Sequence, residues 1–206
     1  MFITFEGPEG AGKTTILKMI AKNLEEKQYE YIQTREPGGI RISEAIRSVI
    51  LDKAHTEMDA RTEALLYAAS RRQHLIERVM PALENGTIVL CDRFIDSSLA
   101  YQGYARNIGI QEVWDLNQFA IQDCMPTFTL YFDIAPELGL QRIAANANRE
   151  VNRLDQESIS FHKRVYEGYE QVLQMFPNRI YRIDASKSVE TVFEECWKII
   201  TTHLNE

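Results

Sequence analysis

The first fifteen residues run from a strand-like apolar stretch, Phe2-Ile3-Thr4-Phe5, through the turn Gly7-Pro8-Glu9-Gly10-Ala11-Gly12 into Lys13-Thr14-Thr15 and an apolar helical pattern at Ile16, Leu17, Ile20 and Leu24. A glycine-rich turn between a strand and a helix makes the first unit β-loop-α, and the rest of the chain repeats the alternation. Further short apolar runs fall at residues 30–34, 87–91, 128–134 and 179–184, separated by longer helical patterns. Ile88-Val89-Leu90-Cys91 lacks the polar alternation of a half-exposed strand, so such strands need cover on both faces. The expected fold is α/β: a five-stranded parallel sheet flanked by helices, a three-layer sandwich. At 206 residues and 45% hydrophobic content, residues 1–206 are expected to form a single domain.

Two helical patterns bear on the core. Val189, Val192, Phe193, Cys196, Ile200 and Leu204 recur every three or four residues and read as one buried stripe. Over residues 60–84, Leu65, Ala69, Ile76 and Leu83 read as the core face, with Tyr67 and Arg71 roughly opposite. Residues 146–156 are polar without apolar periodicity and read as a lid loop between helices.

The turn satisfies G-x-x-x-x-G-K-[ST] in its required strand-loop-helix context. Its glycines let backbone N–H groups converge on phosphate oxygens, and the helix N-terminus adds positive potential. Gly7, Pro8, Glu9, Gly10, Ala11, Gly12, Lys13, Thr14 and Thr15 are therefore the candidate triphosphate cradle, with Lys13 reaching the β- and γ-phosphates and Thr14 a Mg²⁺ ligand. Asp92, closing the third strand, is a second metal candidate, directly or through water; the same position also suits a helix cap or turn.

Composition narrows the partners. A net charge of −7 argues against general affinity for nucleic acid polymers. Cys91, Cys124 and Cys196 are far apart and without metal-ligand spacing, and read as reduced thiols. With no secretory leader and no run long enough to span a membrane, the cytoplasm is the expected compartment. His55, His74, His162 and His203 have no paired spacing and receive no chemical role.

A phosphate cradle alone serves kinases, switches and motors alike. Arg35 and Arg93 end strands and Arg47 lies on the following helix, a disposition suited to a second anionic substrate at the carboxyl edge of the sheet. Ion pairing with Glu36, Glu44 or Asp96 explains any one of them equally well.

The cradle, Thr34-Arg35-Glu36-Pro37-Gly38-Gly39, Tyr67-Ala68-Ala69-Ser70-Arg71-Arg72, Asp92 to Gly103, and Asn152-Arg153-Leu154-Asp155-Gln156-Glu157 together resemble bacterial thymidylate kinases, in order and with suitable spacing over nearly the whole chain. That resemblance implies a P-loop NTPase fold and Mg²⁺-dependent transfer of the ATP γ-phosphoryl group to dTMP, giving dTDP on the way to dTTP. It also implies a homodimer, to which Trp114 and Phe119 are candidate contributors. By resemblance, Arg35, Arg47 and Arg93 hold the acceptor phosphate, with Glu36 and Pro37 beside it. Tyr67 stacks on the thymine where phenylalanine is common, Arg71 meets the base carbonyl and Gln102 its polar edge. Ser97, Ser98 and Tyr101 line the same pocket, with Tyr101 near the sugar, and Glu9 resembles the acidic residue on the 3′-hydroxyl. Glu9 and Glu36 also admit a purely structural role.

Two polyanions meeting end to end require more than one cation. The cradle carries only Lys13, so Arg149 and Arg153 in the lid are the candidates to complete it, their order left open. Arg142 is a candidate adenine contact or a solvated helix-end charge. Another small-molecule kinase or a nucleotide-dependent switch remains as a rival; the lack of N-K-x-D counts against a GTPase.

Overall fold

The structure, a computed structural model, describes residues 1–145 and 153–205, with residue 155 as backbone only. One parallel sheet comprises β1 (Phe2–Glu6), β2 (Tyr31–Arg35), β3 (Ile88–Asp92), β4 (Phe128–Asp133) and β5 (Ile180–Asp184), in the order β2-β3-β1-β4-β5. The helices are α1 (Lys13–Glu26), α2 (Arg41–Leu51), α3 (Ala60–His74), α4 (Met80–Glu84), α5 (Ile95–Ser98), α6 (Ile110–Ile121), α7 (Pro136–Ala144), α8 (Ile159–Met175) and α9 (Val189–Leu204). Wider π-helical turns, Leu75–Val79 and Leu99–Ala105, continue α3 and α5. Each strand lies within one residue of its sequence-predicted place.

Strand side chains alternate between two cores, which makes the sandwich. On one face Ile3, Phe5, Leu90 and Leu130 pack with Ile16 and Ile20 of α1 and Cys196 and Ile200 of α9. On the other, Phe2, Val89, Cys91 and Tyr131 pack with Leu75, Leu99, Val165 and Tyr169. α8 lies so close to Leu99–Ala105 that a Cβ on Gly168 would sit 2.8 Å from the Ala100 carbonyl oxygen, so only glycine fits there.

Because β1 is central and its neighbours are reached in opposite directions, a crevice opens beyond the carboxyl ends of the strands. Register sets Asp92 level with Phe5 on one side and Arg35 on the other, so the residues that follow these strands share one edge.

Three expectations need correction. Leu65, Ala69 and Ile76 are exposed, while Ala64, Ala68, Arg71, Leu75 and Val79 are the buried face of this helical run. Within Ala60–His74 small alanines and the paired Arg71 occupy the inner face, leaving Leu65 and Ala69 outside, and the π turn Leu75–Val79 displaces the 3.6-residue period only from Ile76 onward. Val189 is 45% exposed, since the first turn of α9 leaves the core to line the crevice. Trp114 turns inward onto Phe176, with ring centroids 5.2 Å apart, leaving Phe119 as the outward aromatic of α6. Cys91 and Cys196 are buried thiols, and Cys124 is partly buried.

Candidate active site

A cleft of about 760 Å³ runs along the carboxyl edge of the sheet. Residues 9–15 of the glycine turn form its floor, while Arg35, Glu36, Pro37 and Arg47 form one end and Arg142 and Ala185 the other. Gly10 adopts φ +74°, where an added Cβ would lie 2.1 Å from the Gly139 carbonyl oxygen, so the tight turn against α7 demands glycine. Gly7 and Pro8 sit behind the floor: their carbonyls accept the Lys13 ammonium at 2.9 and 2.8 Å. Burial, with Arg93 repelling it, brings Lys13 down to about 8.

Thr14 Oγ1 donates to Asp92 Oδ2 at 3.1 Å on the cleft wall. Two hard oxygen donors this close fit a small divalent cation that takes its remaining ligands from phosphate and water. Among the described residues no cluster of three His, Cys, Asp or Glu groups is poised to hold a metal. Arg142 donates to the Ala185 carbonyl at 2.9 Å, which makes it part of the wall and not merely a solvated charge.

A recess leads inward from the cleft, lined by Arg71, Ser97, Ser98, Tyr101 and Gln102, and the two spaces share Glu9, Glu36, Tyr67, Arg93 and Leu154. Arg93 stands at the junction. Its backbone holds φ +69°, an uncommon conformation for a residue with a Cβ, and its N–H donates to the Phe5 carbonyl at 3.0 Å. Its guanidinium donates to Glu9 Oε1 at 3.0 Å, Ser97 Oγ at 3.0 Å and Tyr169 Oη at 3.2 Å, and lies 5.2 Å from the Tyr101 ring centroid. Those two hydroxyls donate in turn to Glu6 Oε2, at 2.5 and 2.9 Å, so their lone pairs are left facing Arg93. The other oxygen of Glu6 accepts the Phe94 N–H at 2.6 Å, pinning the turn that carries Arg93. Burial and the nearby Asp96 push the Glu6 carboxyl up to about 7, against the pull of Arg93.

Burial alone would raise the Glu9 carboxyl, but Arg93, His162 and Lys13 outweigh it and hold it far below the usual carboxylate range. Tyr101 Oη also donates to it, 2.6 Å from each oxygen. Glu36, 4% exposed, accepts Arg71 Nε at 2.7 Å and His74 Nδ1 at 2.9 Å. Arg71 also donates to Ser98 Oγ at 3.1 Å and to Asn117 Oδ1, with Phe94 5.1 Å away. The open question of arginine pairing resolves individually: Arg35 pairs with Glu44 at 2.9 Å, Arg93 with Glu9, Arg47 donates to the Pro37 carbonyl at 3.0 Å, and Asp96 is taken by Arg179.

Arg153, expected at the phosphates on lid closure, has other partners in this structure. It is 8% exposed, donates to the Ile50 carbonyl at 2.9 Å and to Glu63 at 2.5 Å, and lies outside both cleft and recess. Its carboxylate partner, Glu63, belongs to α3. Arg149 lies outside the described residues, as does most of the lid at 146–156.

Sequence reasoning missed Glu6, Glu63, Asn117, His74, His162 and Tyr169. The histidines, read as polar-face residues, are buried at 0% and 2% exposure, His162 with Nδ1 3.6 Å from Glu9. The one available signal was Glu6, an acid ending an otherwise apolar strand.

The family model for thymidylate kinase matches residues 5–196. A thymidylate kinase of Oceanobacillus iheyensis is 62% identical over 206 residues, spanning 100% of this chain and 92% of that one. One from Clostridium novyi is 66% identical over 194 residues, 94% of this chain and 95% of the relative. The crystal structure of thymidylate kinase from Ehrlichia chaffeensis superposes with a TM-score of 0.78 at 32% identity, covering 98% of each chain. Matches of this length, on a cleft that joins the glycine turn to a recess bordered by Arg93, establish that the chain belongs to the thymidylate kinase family.

Proposed function

We propose that phosphorylation of dTMP to dTDP by ATP, the reaction of this family, takes place where cleft and recess meet at Arg93. The observation carrying this reading is that one guanidinium borders both spaces, with the phosphate cradle on one side and Tyr67, Arg71 and Gln102 on the other. ATP lies with its phosphates over Gly10–Thr15 and its adenine toward Arg142. The dTMP phosphate takes the place beside Arg93, with Arg35 and Arg47 across the cleft. Tyr67 stacks on thymine, Arg71 donates to a base carbonyl, and Glu9 and Tyr101 face the sugar, with Ser97 and Ser98 holding the two arginines in place. The recess is narrow, about 30 Å³, and Leu154 forms part of its wall, so withdrawal of the lid end precedes entry of the base.

Mg²⁺ suits Thr14 and, directly or through water, Asp92; when bound it neutralises phosphate charge. The acceptor phosphate is already anionic, so catalysis is positioning and electrostatics with no protein base. We assign the lid to residues 146–156 of a single domain spanning 1–206. Its Arg149 and Arg153 complete the cation set on closure, Arg153 first leaving Glu63.

Purified protein with Mg²⁺ and ATP is expected to convert dTMP far faster than dUMP, dCMP, AMP or dGMP, measured as kcat/KM for each acceptor. Equal rates would defeat the base-pocket assignment.

The working form is a homodimer in the cytoplasm, where free thiols such as the three present stay reduced. No helix among the described residues is long and apolar enough to cross a membrane. Phe119, 87% exposed, Leu65, 56% exposed, and Ile76 put an apolar surface on the neighbouring helices α3 and α6 and the π turn that extends α3, which supports a subunit face. Phe119→Glu is expected to convert the protein to a monomer in sedimentation equilibrium. A wild-type protein that is monomeric at the same concentration would remove this assignment.

A further inference from the structure

Glu63, on α3, has no part in the reaction as assigned, yet it is a carboxylate only 1% exposed directly behind the recess. Its Oε1 accepts Gln102 Nε2 at 2.8 Å, and its Oε2 accepts Arg153 Nη2 at 2.5 Å, with Arg106 reaching both oxygens at 3.4 and 3.3 Å. Burial alone would raise its carboxyl, but Arg106, Arg153 and the Gln102 amide outweigh that and hold it below its ordinary value. It is therefore ionised and offers lone pairs only.

An acceptor-only partner decides which end of a glutamine amide is nitrogen, a matter that heavy-atom shape leaves open. The NH₂ of Gln102 must face Glu63, which leaves the carbonyl end for the recess that Gln102 lines. Among the described residues, the bond to Glu63 is the side-chain hydrogen bond that Gln102 makes.

We propose that Glu63 is a specificity-determining positioning residue: by holding the Gln102 NH₂, it makes the recess present a hydrogen-bond acceptor to the base. A pyrimidine carrying a proton at N3, thymine or uracil, satisfies that acceptor. Cytosine sets its N3 lone pair against the carbonyl and leaves both unpaired in a buried site. Turning the amide to suit cytosine would point its carbonyl at the Glu63 carboxylate and forfeit the 2.8 Å bond. The inference rests on the base-reading role given to Gln102 above.

The test is the ratio of kcat/KM for dTMP to that for dCMP. In Glu63→Gln, whose amide accepts either orientation of Gln102, the ratio is expected to fall about tenfold. In Arg106→Gln, which strips an ion pair from Glu63 but leaves the Gln102 contact, it is expected to stay at the wild-type value. An unchanged ratio in Glu63→Gln, or an equal fall in both variants, overturns the proposal. Equal use of dTMP and dCMP by the wild-type enzyme defeats the base pocket instead, so the two failures are distinct. Should Glu63→Gln not fold, the Gln102 side-chain NH₂ of the wild-type protein decides, identified in NMR spectra by its loss in Gln102→Ala. Protection from solvent exchange without dTMP is expected, and rapid exchange overturns the proposal.

Discussion

Arg93→Ala is expected to lower kcat/KM for dTMP by about a thousandfold, through both kcat and KM, while KM for ATP changes little. Arg93 borders both spaces, so in the proposed arrangement it meets the acceptor phosphate in the ground state and the moving phosphoryl group in the transition state. Its aim is set by other groups: Ser97 and Tyr169, oriented by Glu6, fix one nitrogen, and Glu9 fixes the other. Arg93→Lys keeps the charge but loses the planar fork, and is expected to recover only a small part of the activity. Substitution also leaves Glu9, whose side chain is 8% exposed, without its ion-pair partner, so a fall in Tm accompanies the kinetic loss. Steady-state kinetics varying dTMP at saturating ATP make the measurement. A loss of less than about tenfold would mean that the acceptor phosphate binds elsewhere.

Lys13→Ala is expected to reduce kcat by about a thousandfold, with a smaller loss in ATP affinity because the backbone amides of the cradle remain. The ammonium donates to the Gly7 and Pro8 carbonyls, at 2.9 and 2.8 Å, beside the glycine turn proposed to receive the phosphates. The Lys13 group titrates at about 8, so it is charged below that pH and loses its proton above it. Wild-type kcat/KM for ATP, which reports the free enzyme, should therefore fall as pH rises through about 8. Bound phosphates hold the proton, so kcat should bend only at higher pH. Coincident bends in the two profiles would show that Lys13 gains nothing from the bound nucleotide.

The parts of this site written in local order were legible in the sequence. Strand, glycine turn and Lys13 are contiguous, and Asp92-Arg93 closes a strand that parallel pairing must deliver to the same edge. What escaped were residues whose meaning depends on a distant partner. His74 meets Glu36 across 38 positions, and Asn117 meets Arg71 across 46, with no periodicity to mark either pair. Hydrophobic pattern misled on α3 for a related reason: a paired arginine and small alanines fill the inner face, so leucine and isoleucine are left outside. Lid geometry was the least legible, because Arg153 has a partner in Glu63 that only the folded chain brings within 2.5 Å.

The helical run that begins with α3 carries Tyr67 and Arg71 toward the recess and Leu65 and Ala69 toward solvent, with no loop between the two sets. In the proposed homodimer the partner would rest on Leu65, so the seam between subunits and the wall of the recess are two sides of one helix, and a substitution that opens the seam is expected to change KM for dTMP as well as oligomeric state.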